Sequence, residues 1–381
     1  GASAYLSLKL GEKKKKEAET GIGNGIMLST IVSILFCAIT LIFLPQFLKI
    51  FGCTENLKSY AMAYGSIIAI GFPFSMIGTT LNSIIRADGS PKYSMFSMVA
   101  GAVLNTILDP IFIFVFKMGV EGAAIATVIS QILTFVLNMA YIKRFKSIKI
   151  TKENLKLEAN VCGKISTLGI SSFITQMSFV CVMTAENNLL GKYGANSKYG
   201  AEIPITVLGI VMKINQILNS MIIGIAAGSQ PIIGYNYGAG KNKRVKKLFF
   251  MIIGLNIILG LIATILFETI PGPILSIFGT NSLNPELYKE FGIMTMRIYL
   301  LLITFTIIQK SVSIFLQAMG SPIEAAILSL ARDVVGMVIF TVVLPMFWGI
   351  EGILWSAPFT DVIGIILAII FSIKMLKKLN N

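Results

Sequence analysis

Apolar stretches alternate with short polar connections along the whole chain. Each stretch is long enough, at about 20 residues or more, to cross a hydrocarbon core of about 30 Å. They run over about 21–44, 59–86, 92–116, 122–143, 165–190, 204–234, 248–270, 290–318, 322–347 and 351–373, with a short apolar remnant at 1–10. None shows the strict period-2 alternation of a barrel strand. In the bilayer every backbone N–H and C=O must be satisfied internally, so these stretches predict helices. The expected fold is all-α, a polytopic helical membrane protein with about ten full spans. The remnant at 1–10 lacks the charged region and cleavage site of a signal peptide.

The pattern also repeats. Leu48-Lys49-Ile50-Phe51-Gly52 matches Leu275-Ser276-Ile277-Phe278-Gly279 at an offset of 227. Gly89-Ser90-Pro91 matches Gly320-Ser321-Pro322 at 231, and Gly119-Val120-Glu121-Gly122 matches Gly349-Ile350-Glu351-Gly352 at 230. Gly11, followed by a basic run, matches Gly240 with its own basic run at 229. Repeats of this size are common in transporters. Both Gly-Ser-Pro copies fall on one side of the membrane and both Gly-x-Glu-Gly copies on the other, so the repeat is parallel. The second copy holds about one and a half helices before Gly240 that the first lacks before Gly11. The register therefore predicts two parallel-repeat six-helix bundles, the first truncated, in a protein of twelve spans whose second span this sequence enters part-way. The expected domains are an N-terminal lobe at 1–143, a charged inter-lobe loop at 144–164 and a C-terminal lobe at 165–381.

Composition and charge agree with a membrane protein. The 381 residues are 55% hydrophobic and 13% charged, with a mean hydropathy of +0.80, whereas a soluble domain carries roughly 25% charged residues. The net charge of +14 is a matter of topology rather than of nucleic-acid binding. Of the 32 Lys and Arg, 22 fall in alternate connections: Lys9 with Lys13–Lys16, Arg86 with Lys92, then the Lys143–Lys164, Lys241–Lys247 and Lys374–Lys378 groups. The opposite connections hold six, namely Lys49, Lys58, Lys117, Lys192, Lys198 and Lys289. This bias places the basic connections and the C-terminus in the cytoplasm, where they also face anionic head groups. Cys37, Cys53, Cys162 and Cys181 show no metal or redox spacing and are expected to be unpaired. There is no histidine, which removes the commonest general base and metal ligand.

Ionisable residues within spans mark candidate chemistry. In the first half Asp109 follows Asn105 by four residues, so the two share a helix face. Pro110 cannot donate to the carbonyl of Thr106, and Thr127 on the next helix adds a hydroxyl. These oxygens suit Na⁺, or a carboxylate that accepts a proton. Satisfying a kink is the alternative. The repeat counterparts are Val335 or Gly336 for Asn105, Ile339 or Phe340 for Asp109, and Ala357 for Thr127, so the architecture itself does not require polar residues there. The second half carries Glu186, Lys213, Lys310, Arg332, Asp333 and Asp361, three negative and three positive charges. They are read either as internal ion pairs or as acidic groups meeting cationic substrates or protons. Glu186 could instead be solvated near the outer surface.

Arg86-Ala87-Asp88-Gly89, the Asn105–Pro110 segment and Gly122-Ala123-Ala124-Ile125-Ala126-Thr127 resemble the first lobe of the multidrug and toxic compound extrusion (MATE) family. Gln230-Pro231-Ile232-Ile233-Gly234-Tyr235-Asn236-Tyr237-Gly238-Ala239 and Gln317-Ala318-Met319-Gly320 resemble its second lobe. The match covers the whole chain and is nearest to the small bacterial multidrug exporters. The resemblance implies a cation-coupled antiporter that exports diverse, often cationic, drug-like molecules by alternating access, driven by Na⁺ or H⁺. It further implies that Asp109, Asn105 and Thr127 form the coupling-cation site, with a fourth member on the family's first span. Some relatives carry an acid midway along the first helix of the second lobe; here that stretch reads Gln176-Met177-Ser178-Phe179, with Glu186 later.

The expected partners are small molecules and the lipid bilayer, with no nucleic acid and no cofactor beyond the coupling ion. The expected setting is the cell membrane, with the protein acting as a monomer. The rival reading within transport is a lipid-linked oligosaccharide flippase of related two-lobe architecture, which would want a cationic cavity such as Lys213, Lys310 and Arg332 could supply. A membrane-embedded enzyme or receptor is more remote, since no HExxH, GxSxG or paired-Asp motif and no sizeable soluble domain is present. The protein is therefore read as no enzyme.

Overall fold

A computed structural model of the chain describes residues 1–50, 55–279 and 284–380; Cys53, and Phe51 and Gly52 of the first repeat landmark, lie outside them. Every regular element among the described residues is helical. The first half contains α1 (Ala2–Gly11), α2 (Lys15–Ile50), α3 (Glu55–Ala87), α4 (Pro91–Pro110) and α5 (Gly119–Tyr141). Then come α6 (Ala159–Ala195), α7 (Glu202–Gly238), α8 (Asn242–Thr269), α9 (Pro271–Ser276), α10 (Pro285–Tyr299) and α11 (Ile303–Ala318). The chain ends with α12 (Pro322–Ser329), α13 (Met337–Val343), α14 (Pro345–Trp348) and α15 (Ile350–Lys378). Among the described residues nine helical segments are long and apolar enough to cross a membrane, and ten if α10 and α11, bent by 46° at their junction, count as one broken span. These coincide with the ten predicted stretches. Residues 1–10 form α1 rather than a span.

The repeat landmarks have a backbone explanation. Gly89 and Gly320 adopt φ of +84° and +75°, and Gly119 and Gly349 adopt +55° and +57°, left-handed values that cost other residues more than glycine. In each Gly-Ser-Pro the glycine ends one helix and the proline occupies the first turn of the next, where its missing N–H is no loss. The second glycine of each Gly-x-Glu-Gly is a close approach. A Cβ on Gly352 would lie 2.5 Å from the Leu344 carbonyl carbon and oxygen, and one on Gly122 would lie 2.9 Å from Phe112 Cβ. The Gly11–Gly240 pair is not equivalent in geometry: Gly240 has φ +68°, but in the first copy Lys13, at +60°, takes the left-handed turn.

Two compact units are present, Gly1–Ser166 and Thr167–Asn381. Large side chains such as Ile34, Leu35 and Phe36 on α2 and Ile258 and Ile265 on α8 are more than half exposed. In water such surfaces would aggregate; here they meet lipid. The interior of the second unit packs Phe291, Met296, Leu208, Ile307 and Ile353 in one cluster and Phe249, Phe315, Val245 and Leu328 in another. Phe249 and Phe315 meet edge to face at 5.1 Å.

The charged segment after α5 is tied down by side chains of the first unit. Buried Asp88 accepts the backbone N–H of Lys146 at 2.9 Å and of Ser147 at 2.8 Å, and the Tyr141 hydroxyl at 3.0 Å. Glu19 accepts the Lys149 N–H at 3.0 Å. Asn24, fully buried, donates to the carbonyls of Asn154 and Lys156 and accepts from the Glu158 N–H at 2.7 Å and from Cys162 Sγ at 3.3 Å. Cys37, Cys162 and Cys181 are free thiols.

Candidate functional site

In the second unit α6, α7, α11 and α15, with the α10–α11 break and a π-helical segment at Leu330–Gly336, enclose a cavity of about 330 Å³. A π-turn carries an extra residue per turn and is frequent at functional sites. Here it carries Arg332 and Asp333, both on the cavity wall. Arg332 donates from Nε and Nη2 to Asp361 Oδ1, at 3.1 and 2.6 Å, and from Nη1 to Asp333 Oδ1 at 2.8 Å. Thr306 Oγ1 accepts from Arg332 Nη2 at 3.1 Å and donates to Asp361 Oδ1 at 2.7 Å. Asp361 is 2% exposed, so its charge survives burial only through this pairing. Asp333 keeps one buried oxygen, Oδ2, without a hydrogen-bond partner.

The other three intraspan charges, Glu186, Lys213 and Lys310, make no ion pair with one another among the described residues. Lys310 lines the same cavity, and its Nζ donates to Asn219 Oδ1 at 3.1 Å. Asn219 in turn donates to Asn215 Oδ1 at 2.7 Å. Glu186 is 0% exposed, which overturns the reading of a solvated outer residue. It accepts the Tyr299 hydroxyl at 2.8 Å on Oε1, while Oε2 has no partner. Tyr299 lines the cavity, and Glu186, its hydrogen-bond partner, is not on the wall. Lys213 is exposed on α7 and is not on the cavity wall.

In the first unit Asn105 Nδ2 donates to Asp109 Oδ1 at 3.2 Å along α4. Thr127 Oγ1 donates to the Ala123 carbonyl at 2.9 Å within α5. Asn105 and Thr127 both line a cavity of about 340 Å³ between α3, α4 and α5, together with Thr79, Arg86 and Gln131. Asp109 is not on that wall and reaches it through Asn105. Arg86 donates to Ser83 Oγ at 3.1 Å.

Part of the two walls corresponds through the repeat. At the offset of 231, Ser75, Thr79, Gly101 and Ala102 of the first wall correspond to Thr306, Lys310, Arg332 and Asp333 of the second. At 230, Gln131 corresponds to Asp361. All the charge of this set stands in the second copy. Size is exchanged as well. A Cβ on Gly101 would meet Thr134 Oγ1 at 2.1 Å, whereas Arg332 Cγ lies 2.9 Å from where a Cβ on Gly364, the counterpart of Thr134, would stand. One copy places glycine against threonine, and the other arginine against glycine.

Thr306, Asn219 and Tyr299, each a partner of a charged residue, are invisible to a search for ionisable groups. Asp88 stood within a quoted motif, but its contact with a segment nearly 60 residues away carries no local signal.

The MatE family's sequence profile matches residues 1–111 and 172–342. The chain belongs to the MatE family. It is 28% identical over 370 residues to the multidrug export protein MepA of Staphylococcus aureus, covering 93% of this chain and 76% of the relative. It is 25% identical over 382 residues to MepA of Staphylococcus haemolyticus, covering 98% and 80%. Its fold superposes with a TM-score of 0.92 on the outward-facing conformation of a multidrug resistance MATE family transporter of the MOP superfamily. That match has 21% identity over 100% of this chain and 84% of that one. This MatE chain is accordingly a multi-pass membrane transporter and not an enzyme, built on the helical two-lobe fold of that family.

Proposed function

We propose that the chain exports chemically diverse, often cationic, small molecules across the cell membrane by alternating access, driven by entry of Na⁺ or H⁺. The observation that carries the export reading is the likeness to multidrug export proteins over 93% of the chain. The basic connections and the C-terminus lie in the cytoplasm on this reading, and the working unit is a monomer.

The Asn105–Asp109 pair, with Thr127 nearby, is the proposed coupling site. Asn105 spends its amide N–H on Asp109 Oδ1, which leaves Asn105 Oδ1 and Asp109 Oδ2 as oxygens for a hard cation or a proton. Coupling requires that the ion bind the two access states unequally. The test is efflux from vesicles with a Na⁺ or a pH gradient imposed one at a time. Asp109→Asn is expected to abolish gradient-driven export while the protein still inserts; unchanged export would sink the assignment.

The flippase alternative needs a cavity of net positive charge. Arg332 is matched by Asp361 and Asp333 at hydrogen-bond distance, so the two cations and two carboxylates on the second unit's wall cancel. This favours drug export over the transfer of a polyanionic lipid.

A further inference from the structure

We propose that Lys310 anchors an anion subsite in the second unit's cavity, so that this transporter takes substrates carrying a carboxylate or similar acidic group beside their cationic or apolar part. The proposal rests on the export reading and deepens it.

Four charged side chains line this cavity: Lys310, Arg332, Asp333 and Asp361. Three of them are joined into one hydrogen-bonded group through Arg332, four of whose five N–H donors go to Asp361, Asp333 and Thr306. Lys310 stands outside that group. No carboxylate among the described residues lies within ion-pair distance of it, and its partner is the neutral Asn219. An ammonium has three N–H donors, so two remain to meet an incoming acceptor. Holding a partly buried cation against a neutral amide is costly, and charges kept within membrane spans are functional by default.

The fold does not ask for this charge. The corresponding wall position in the first unit is Thr79, on a helix that packs without it. The surroundings of Lys310 also suit an acid. Asn215 from α7 lies on the same wall and receives Asn219 on its Oδ1, which leaves its amide N–H to meet an acid, while Phe179 and Ile223 present apolar surface to the body of a molecule. A small site of a few polar groups set in apolar lining is the usual form of a ligand pocket.

The experiment uses the full chain in proteoliposomes with one xanthene dye bearing a free carboxylate and the methyl ester of the same dye. Lys310→Met is expected to raise the KM for the carboxylate dye by roughly tenfold or more, the scale of a lost hydrogen bond to a charged group. It should change the ester by less than about twofold, and Lys310→Arg should retain most of the preference. Fluorescence anisotropy of each dye on the purified protein reads binding without transport and should show the same loss for the acid alone. Equal losses for both dyes, or none, would overturn the proposal while leaving export intact. Restoration of Lys310→Met by adding Asp333→Asn would also overturn it, since Lys310 would then serve the wall rather than a substrate. Export of neither dye would count against the export reading, and the anisotropy titration then decides the anion subsite by itself.

Discussion

Replacing Arg332 by Met should destabilise the second unit more than any other single change on the cavity wall. The substitution keeps a long unbranched side chain but strands two carboxylates. Asp361, 2% exposed, loses two donors at 2.6 and 3.1 Å, and Asp333, 7% exposed, loses its donor at 2.8 Å. Removing one member of a buried pair costs about 3–5 kcal/mol. The Arg332 side chain is itself 14% exposed, which argues for the lower end, about 3 kcal/mol. Asp361→Asn keeps an oxygen for Thr306 and leaves Arg332 paired with Asp333, so it should cost less, about 1–2 kcal/mol. Combining Arg332→Met with Asp361→Leu removes one stranded charge, and the double variant should fall short of the summed losses by about 1 kcal/mol or more. The two tryptophans of the chain, Trp348 and Trp355, both lie in the second unit, and Trp355 shares α15 with Asp361. Tryptophan fluorescence through an SDS titration therefore reads the unfolding of this unit alone. A loss under about 1 kcal/mol for Arg332→Met, the scale of a solvated surface pair, or strict additivity in the double variant, would refute the account of Asp361 as a carboxylate held by its pairing.

Other expectations follow from single contacts. Asp88→Ala removes the acceptor of two backbone N–H groups, each worth about 1.5–3 kcal/mol when the acceptor is charged. Trypsin cleavage after Lys146 and Lys149 should then speed up on the order of 100-fold, and unchanged cleavage would show that the segment is held by something else. Tyr299→Phe takes the hydrogen bond from buried Glu186 and should cost about 1–3 kcal/mol in the same SDS titration. Adding Glu186→Met should recover most of that loss, and failure to recover it would mean that Tyr299 acts through packing. Gly352→Ala sets a Cβ against the Leu344 backbone at 2.5 Å and should cost about 1–3 kcal/mol by overpacking. Gly254→Ala on α8, with nothing within 4 Å, should be neutral or stabilise by about 0.5–1 kcal/mol; equal effects at the two glycines would undo the packing argument.

The spans were legible in the sequence because the bilayer imposes a length and a hydropathy that local pattern records directly. The repeat was legible for a related reason: Gly89 and Gly320, or Gly119 and Gly349, mark backbone conformations that few other residues accept. Charges inside spans are equally visible, and Arg332, Asp333 and Asp361 stand among the six of the second half that the sequence marks together. Which of them meet is not visible. Arg332 and Asp361 lie 29 residues apart on different helices, and hydropathy says nothing of helix rotation. The break between Tyr299 and Ile303 was hidden inside one apolar run, and the burial of Glu186 depends on Tyr299, which has no sequence mark. The tie between Asp88 and the residues after α5 is a tertiary contact made by backbone N–H groups, which every sequence offers.

The exchanged sizes at Gly101–Thr134 and Arg332–Gly364 constrain the order in which the two halves diverged. If the duplicated ancestor had glycine facing threonine at this crossing, an arginine arriving first would have met a hydroxyl at the distance where its own Cβ must sit. Threonine to glycine, by contrast, leaves only a small void, a loss that a membrane bundle can absorb. The permissive glycine would then precede the arginine, and Asp361 would become tolerable only once that arginine was in place. Reintroducing threonine at position 364 today should therefore be harmful in this transporter and harmless in a variant whose residue 332 has been returned to glycine.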